Sequence, residues 1–221
     1  MNSQSDDAID HGHAMDRMYR LQRHFYDLTR RYYLLSRDKM LDGLNATHGQ
    51  SILEIGCGTG RNLIGAGQRY PQCLYFGIDI SSEMLKSAEK SLAKAGLLKR
   101  TLLKQGDATN FDADLKLGQK TFDRIYFSYT LSMVPQWEAA LRHATTLLSK
   151  EGELHIVDFG QCEKWPSPFK KLLFKWLNLF QVSPRSELSA VLTELNKEGK
   201  CSLISQQDFG GYAWRFILRK A

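Results

Sequence analysis

Three glycines at alternate positions follow a short apolar run in the stretch ILEIGCGTGRN, residues 52–62. Between a strand and a helix, the glycine loop (Gly56, Gly58 and Gly60) lets the backbone turn sharply and approach a ligand without interference from Cβ atoms. Its amides would lie at the positive end of the next helix. The spacing departs from the dinucleotide fingerprint, because Arg61 replaces the third glycine, and no G-K-[ST] follows for a phosphate loop. The loop therefore predicts a nucleoside ligand without phosphates to bind.

Three acidic residues occupy strand positions from which they could contact such a ligand. Asp79 ends the second predicted strand, where an acid in a doubly wound sheet accepts hydrogen bonds from ribose hydroxyls. Asp107 ends the third, where a carboxylate can accept from the exocyclic amine of a purine. Glu54 lies inside an apolar strand, and burying a carboxylate is costly unless a cation or a hydrogen-bond donor meets it. Each acid alone could equally be structural, as a helix cap for instance. Their order beside the glycine loop indicates a cofactor site.

The apolar pattern places this loop in an alternating α/β chain. Strand-length apolar runs lie at residues 51–56, 74–79, 101–107, 122–128 and 152–160. Helical patterns such as 81–96 and 137–149 lie between them, which predicts a mainly parallel sheet covered on both faces. The last two runs, 201–210 and 211–220, meet at Gly210-Gly211 and predict an antiparallel hairpin at the sheet edge. The expected fold class is α/β, doubly wound.

Length and composition limit the class of protein. With 221 residues, 43% of them hydrophobic and 24% charged, the chain suits one globular domain with a full core. We expect a single domain over 1–221, with an N-terminal helical arm at 1–45 and an amphipathic insertion at 161–187. The apolar stretches are far shorter than the ~20 residues of a membrane-spanning helix, and no signal-peptide core precedes them, which predicts a cytoplasmic protein. The four cysteines are scattered, so we expect reduced thiols and no metal site.

Positive charge is concentrated in two segments of a chain whose formal net charge is +6. An anionic membrane, RNA or an acidic substrate could explain them, and so could solvated helix faces. In the first segment, residues 14–44, helical spacing combines with tyrosines that alternate with arginines. Tyrosine rings attract methylammonium groups and arginine binds carboxylates, so we expect Tyr33 and Arg37 to contact a substrate that has an amine and an anion. Amphipathic packing is the alternative.

The second basic segment predicts an amphipathic helix at 169–180. Its lysines fall mostly opposite one apolar face, which consists of Phe169, Leu172, Leu173, Trp176, Leu177 and Phe180. Aromatic residues beside lysines are typical of a helix that lies in a lipid headgroup layer. The alternative is a lid that docks on the sheet, and a lid that also touches a membrane would combine the two.

These features resemble the class I S-adenosylmethionine-dependent methyltransferases. LEIGCGTG is similar to their first motif, FGIDISSEML to the second and GDAT to the third, in the right order and spacing. The resemblance implies a seven-stranded sheet whose last strand is antiparallel, which agrees with the predicted hairpin. It also implies S-adenosylmethionine as the cofactor.

The same resemblance implies where the cofactor lies. The glycine loop would lie under its methionine part, Asp79 would hold the ribose, and Asp107 and Ala108 would lie at the adenine. Ile80 and Met84 would pack on the purine ring, although Met84 could equally belong to the core. Together with Glu54, these residues form the predicted cofactor site.

The turn after the fourth strand bears on the substrate. Methylases of exocyclic base or glutamine amines carry an N-P-P-Y-like turn, and this chain has Ser128-Tyr129-Thr130-Leu131 there. Nucleic-acid methylation is therefore disfavoured. An amine must lose its proton before it attacks, and Tyr129, His24 and the arm tyrosines could take that proton. We expect Tyr129 and Tyr33 to be catalytic, with Arg37 as the carboxylate partner.

A narrower resemblance extends over residues 14–219. The arm, the turn SYTLSMVPQW, the run LHIVDFGQ, the basic helix ending in VSPR and the closing GGYAWRF look like the diacylglyceryl homoserine N-methyltransferases of bacterial betaine lipid synthesis. This implies three successive methylations of a homoserine amine on a lipid, with peripheral contact to an anionic membrane. The alternatives are an N-methyltransferase of another lipid or small amine, of the phosphatidylethanolamine type, a quinone or nucleic-acid methyltransferase, or a binding protein that has lost catalysis.

Overall fold

A computed structural model of the protein describes residues 33–199 and 201–220. The predicted arm at 14–44 therefore falls largely outside the described residues, and His24 lies outside them too. From the arm, the structure shows one short helix, α1 (Arg37–Asp42).

The predicted apolar runs form one sheet. Its strands are β1 (Ser51–Ile55), β2 (Leu74–Asp79), β3 (Thr101–Gln105), β4 (Phe122–Ser128), β5 (Leu148–Phe159), β6 (Ser202–Asp208) and β7 (Ala213–Arg219). The seven strands have the order β3-β2-β1-β4-β5-β7-β6, and the pairs from β3 to β5 are all parallel. This arrangement confirms the predicted doubly wound α/β fold.

The hairpin at the sheet edge is also confirmed. Strand β7 pairs antiparallel with both β5 and β6. A single turn of 3₁₀ helix, Phe209–Gly211, connects the two hairpin strands, with Gly210 and Gly211 at positive φ. Since β7 lies between β5 and β6, the second strand of the hairpin pairs with the parallel part of the sheet and the first strand, β6, forms the edge.

Helices cover both faces of the sheet and bury a core on each. They are α2 (Arg61–Arg69), α3 (Ser82–Lys94), α4 (Ala113–Leu117), α5 (Trp137–Thr146), α6 (Ser167–Asn178) and α7 (Leu188–Gly199). Alternate strand residues point to opposite faces; thus Leu53 and Ile55 belong to the core under α4, α5 and α7. Ile52 belongs to the other core, to which α1, α2, α3 and α6 contribute. Since β1 is buried on both sides, its run is almost continuously apolar.

The helix predicted at 137–149 ends earlier than expected. Helix α5 stops at Thr146, and Leu148 already pairs with Phe122 as the start of β5. The hydroxyls of Thr145 and Thr146 donate to the carbonyls of Arg142 and His143. Threonine hydroxyls that hydrogen-bond to carbonyls of the preceding turn weaken the end of a helix. The residues that follow therefore pair in the sheet as β5 and do not extend α5.

The predicted amphipathic helix at 169–180 is present as α6, but its apolar face is divided. Leu177 is buried in the core, and Leu173, Trp176 and Phe180 pack against it. Phe169 and Leu172 are exposed. The helix therefore docks on the sheet with one stripe and leaves another uncovered.

Within the described ranges, no helix is both long and apolar enough to cross a membrane. Nor do the residues that the structure describes contain a group of three or more His, Cys, Asp or Glu able to hold a metal ion.

Candidate active site

The carboxyl ends of the parallel strands bring the predicted cofactor residues to one edge of the sheet. After β1, the amides of Gly56 and Cys57 both donate to the Ile78 carbonyl of β2, at 2.7 and 3.0 Å. The Gly60 amide then donates to the Cys57 carbonyl at 2.9 Å, immediately before α2 begins. The loop is thus a tight turn held against the neighbouring strand, with the N-terminus of α2 behind it.

Two glycines of the loop are required for different reasons. Gly56 has φ 76°, and a Cβ there would collide with the side chain of Thr130. Gly58 has φ 52°, and a Cβ there would meet no protein atom within 4 Å. Gly56 is therefore explained by packing within the protein, whereas the open space above Gly58 suits a ligand that lies on the backbone.

Asp79 holds the glycine loop and the start of α3 together. One carboxylate oxygen accepts from the Gly58 amide at 2.7 Å and the other from the Ser81 amide at 2.9 Å. Ser81 in turn caps α3 by accepting from the Met84 amide. A carboxylate can accept about four hydrogen bonds, so accepting from these two amides does not prevent Asp79 from accepting from ribose hydroxyls as well. The helix cap considered for this position belongs to Ser81, and the ribose contact of Asp79 stays a prediction.

The predicted adenine residues lie beyond the neighbouring strand ends. Asp107 follows β3, and its Oδ1 accepts from both the amide and the hydroxyl of Thr109, each at 2.8 Å. Ala108 packs against the edge of the core. Ile80 is half-buried, and Met84 is buried. These residues stand in order along the same edge as the glycine loop, which is compatible with a purine lying across them.

Glu54 is completely buried in the middle of β1. Its carboxyl accepts from Asn62 Nδ2 at 2.7 Å and from the Tyr126 hydroxyl at 3.1 Å. Burial raises its pKa to about 8, although both hydrogen bonds oppose the shift; Asp79 raises it further and Arg37 lowers it. Donors do meet this carboxyl, as a buried acid requires. It lies on the side of the sheet that faces α2 and links the glycine loop to β4.

The raised pKa of Glu54 predicts a stability that depends on pH. Between the ordinary pKa of 4.5 and about 8, the folded protein keeps a proton that the unfolded chain releases. The free energy of unfolding should therefore fall as pH rises through this window, by up to about 1.4 kcal/mol per pH unit. Urea denaturation of Glu54→Gln across this range should give a flatter profile than the parent. Parallel profiles of the two proteins would show that Glu54 does not titrate there.

The predicted catalytic residue Tyr129 stands directly after β4 in a left-handed conformation, with φ 56°. Its buried hydroxyl donates to the Leu35 carbonyl at 2.6 Å. Burial raises the pKa of this hydroxyl well above its usual value, so it stays protonated at neutral pH. The hydroxyl of Tyr212 likewise donates to the Tyr33 carbonyl at 2.8 Å. Two tyrosines thus fasten the backbone of residues 33–35, which we name the arm clasp, to the sheet.

Tyr33 and Arg37 flank this clasp. The Tyr33 ring meets Trp176 of α6 edge-on at a centroid distance of 4.9 Å and stacks near Phe159 of β5 at 6.4 Å. Arg37 donates from Nε to the Leu34 carbonyl at 3.1 Å. Burial raises the pKa of both Glu54 and Tyr129, and the positive charge of Arg37 is a minor influence that lowers the pKa of each. The structure therefore brings all three predicted catalytic residues to the edge that carries the cofactor residues.

Several residues of this edge were not predicted from the sequence. Asn62 and Tyr126 meet Glu54, and Tyr212 and Phe159 support the arm. Tyr126 is the register partner of Glu54 across β1 and β4. A polar tip within an apolar strand was the available signal for Tyr126, and Asn62 lies only eight residues after Glu54, at the start of the helix that follows the loop. Tyr212 and Phe159 are hidden by their long sequence separation from Tyr33.

The hairpin also holds the arm through Asp208. Its carboxylate accepts from the Ser36 hydroxyl at 2.7 Å, from Lys39 at 2.9 Å and from Arg215 at 2.6 Å. Burial opposes ionisation, but these three donors lower the pKa of Asp208 to about 2. The carboxylate is therefore charged at neutral pH, and it joins the start of α1 to the edge hairpin.

The fold of the chain is that of solved methyltransferases. Residues 52–152 match the family described as a methyltransferase domain. A solved SAM-dependent methyltransferase from Aquifex aeolicus superposes with a TM-score of 0.63 at 18% identity, covering 87% of this chain and 93% of that one. A geranyl diphosphate methyltransferase solved with SAM gives 0.63 at 12% identity, over 86% of both chains. Residues 52–152 thus match a methyltransferase domain, and most of the chain shares its fold with these solved methyltransferases.

Among proteins of assigned function, the chain is similar to a phosphatidylethanolamine N-methyltransferase of Cereibacter sphaeroides. The two are 32% identical over 123 residues, which is 56% of this chain and 57% of the relative. It is also 28% identical over 137 residues to a demethylmenaquinone methyltransferase of Tropheryma whipplei, covering 61% of this chain and 52% of that one. The chain spans little more than half the length of these relatives.

Proposed function

We propose that the protein methylates the amine of a lipid headgroup. In its specific form, the proposal is three successive methyl transfers to the homoserine amine of diacylglyceryl homoserine, which give a betaine lipid. The observation that carries it is the placement of the aromatic and basic arm residues at the edge that holds the glycine loop, Asp79 and Asp107. We further propose a peripheral location at the cytoplasmic side of a membrane.

The residues at this edge fit S-adenosylmethionine. The open backbone at Gly58 leaves room for the cofactor, Asp79 can accept from ribose hydroxyls, and Asp107 has a second carboxylate oxygen to offer the adenine amine. When bound, the cofactor supplies a methyl group on a sulfonium sulfur that an amine nitrogen can displace. The chain's own contribution is to orient the two reactants in line and to exclude water.

Each transfer requires the nitrogen to be neutral beforehand. The nitrogen lone pair would form the new N–C bond as the C–S bond breaks, and the electron pair of the broken bond would stay on sulfur. Starting from an ammonium, one proton must leave the nitrogen before each of the three transfers. Arg37 would hold the headgroup carboxylate, and Tyr33 would offer its ring face to the increasingly methylated ammonium.

A proton-relay role of Tyr129 can be tested separately from its role in the arm clasp, since a hydroxyl that stays protonated can relay a proton but cannot act as the base. Tyr129→Phe and Tyr212→Phe each delete one hydroxyl that donates to the arm backbone. Both variants should lose about 1–3 kcal/mol of stability, because a carbonyl loses its donor. If Tyr129 lies on the proton path, kcat should fall about tenfold or more in Tyr129→Phe alone, with an altered pH profile. Equal effects on kcat in the two variants would limit Tyr129 to holding the arm.

A second candidate substrate is phosphatidylethanolamine. It is favoured by the similarity to the phosphatidylethanolamine N-methyltransferase of Cereibacter sphaeroides. Both lipids present a primary amine beside an anion, a carboxylate in one and a phosphate in the other. Arg37 could bind either anion, since guanidinium groups form bidentate hydrogen bonds with both.

Mass spectrometry of a purified reaction would decide between them. The full chain would be incubated with S-adenosylmethionine and vesicles that contain diacylglyceryl homoserine or phosphatidylethanolamine. We expect mono-, di- and trimethylated homoserine lipid in succession, with little conversion of phosphatidylethanolamine. Conversion of phosphatidylethanolamine alone would replace the first substrate with the second, and methylation of neither lipid would contradict a lipid amine substrate.

A further inference from the structure

A group of large apolar side chains is exposed beside the arm clasp. Phe169 is 61% exposed, Leu172 68% and Leu179 73%. Trp165, just before α6, and Phe209, at the tip of the edge hairpin, are exposed as well. We name these five residues the apolar rim. Single exposed apolar residues are ordinary on protein surfaces, but a contiguous set marks an interaction site.

The geometry of α6 explains how this helix can both dock and stay exposed. Leu172 and Leu179 are seven residues apart, close to two helical turns, so they lie on one stripe. Leu173 and Leu177, four residues apart, lie on another stripe, which packs into the core. Leu173 and Leu177 of α6 therefore supply the contacts of this helix with the core. Leu172 and Leu179 are not needed for that packing and stay exposed.

The tip of the hairpin extends the rim beyond α6. The Trp165 indole donates from Nε1 to the Phe209 carbonyl at 2.8 Å, and its ring stacks near Tyr212 at 5.7 Å. Phe209 itself has φ 53°, a conformation that a bulky residue rarely adopts. The hairpin thus presents a phenyl ring at the N-terminal end of α6, although a polar residue would suit that backbone better.

The charge around the rim is mainly positive. Two acids lie beside it and both are engaged: Glu163 accepts from the Trp214 indole, and Asp208 pairs with Lys39 and Arg215. Residues 164–185 contain five basic residues and no acidic residue. Lys171 and Lys175 are exposed on α6, next to the stripe of Leu172 and Leu179 in helical projection. Lysines can extend their heads into a headgroup layer while their stems cover apolar surface.

We infer that the apolar rim and its lysines are a docking surface for an anionic lipid bilayer, formed jointly by α6 and the tip of the β6–β7 hairpin. The charge selects the partner, since an apolar patch bordered mainly by lysines complements anionic headgroups over acyl chains. Trp176, one helical turn after Leu172 and on the same side of α6, contacts Tyr33. Docking would therefore bring the bilayer next to the arm clasp and the candidate active site.

Vesicle flotation of the full chain without cofactor tests this surface. We expect binding to phosphatidylcholine vesicles that contain phosphatidylglycerol, and much weaker binding to phosphatidylcholine alone. Leu172→Ser/Leu179→Ser should weaken binding at least about tenfold, because two apolar side chains lose their burial in lipid. Lys171→Gln/Lys175→Gln should weaken it about fivefold per charge, on the anionic vesicles only.

One variant tests the hairpin separately from the helix. Phe209→Asn removes the ring and places there a residue that tolerates positive φ, so it should fold and bind vesicles severalfold more weakly. Leu115→Ser is the matched control, because Leu115 is 84% exposed on α4, which covers the other face of the sheet. This control should bind like the parent.

Three results would overturn the inference. The first is that the parent does not bind anionic vesicles, and the second is that the rim variants bind as well as the parent. The third is that the parent sediments as a dimer, which the rim substitutions dissociate. The last would identify a second copy of the chain as the occupant of the rim. The docking surface and the lipid substrate fail separately, because flotation needs no methyl transfer. Vesicle binding without lipid methylation would remove the proposed substrate alone, and methylation of detergent-dispersed lipid without vesicle binding would remove the docking surface alone.

Discussion

Asp79→Ala should lower the affinity for S-adenosylmethionine by about a hundredfold or more while the sheet stays folded. The carboxylate would lose two ribose hydroxyls as donors, and hydrogen bonds to a charged acceptor contribute about 1.5–3 kcal/mol each. The substitution would also release the Gly58 and Ser81 amides, which donate to this carboxylate. Isothermal titration calorimetry with the parent and the variant measures the change directly.

Asp112→Ala is a matched control for the backbone hydrogen bonds that Asp79→Ala removes. Asp112 caps α4 by accepting from the Leu115 amide, far from the glycine loop in sequence and on another helix. Asp112→Ala should lose about 1 kcal/mol of stability and keep its affinity for the cofactor. Equal affinity in Asp79→Ala and the parent would remove Asp79 from the cofactor site.

Gly58→Ala should fold and yet bind the cofactor at least about tenfold more weakly. The added methyl meets no protein atom within 4 Å, so the structural cost is that of the left-handed backbone, about 1–2 kcal/mol. A cofactor lying on the loop, however, would collide with this methyl. Thermal melts and calorimetry on the same preparation separate the two effects.

Gly118→Ala and Gly56→Ala are the controls for Gly58→Ala. Gly118 has φ 66°, and a methyl added there would also meet no atom within 4 Å, but this glycine lies at the C-terminus of α4. Its variant should show the same strain with unchanged affinity. Gly56→Ala should lose more stability than either, because its methyl collides with Thr130. If Gly58→Ala bound the cofactor as tightly as Gly118→Ala, the ligand would not lie over this loop.

The sheet could be predicted from the sequence because its strands are marked locally. The runs LYFGID and FDRIYFS coincide with β2 and β4 residue for residue. The predicted end of the helix at 137–149 was wrong because pairing between distant strands decides it. Leu148 fits the helical pattern, but it pairs with Phe122 of β4 as the start of β5. The prediction of one continuous apolar face on α6 was incomplete, because periodicity shows which residues share a side of a helix and not how far a neighbouring core extends.

The cofactor half of the candidate site was more predictable than the substrate half. The glycine loop, Asp79 and Asp107 follow consecutive strands, so parallel topology alone brings them together. The arm clasp depends on contacts between residues as distant as Tyr33 and Tyr212, which no local pattern marks. Tyr129 illustrates the difference: its place after β4 was predictable, and the partner of its hydroxyl was not.

A crystal structure of the complex with S-adenosylhomocysteine tests the central claim most directly. It should show ribose hydroxyl oxygens about 2.5–2.8 Å from the Asp79 carboxylate, the adenine between Ile80 and Asp107, and the sulfur above the glycine loop. A ligand bound elsewhere, with the space over Gly58 filled by the chain's own side chains, would contradict it.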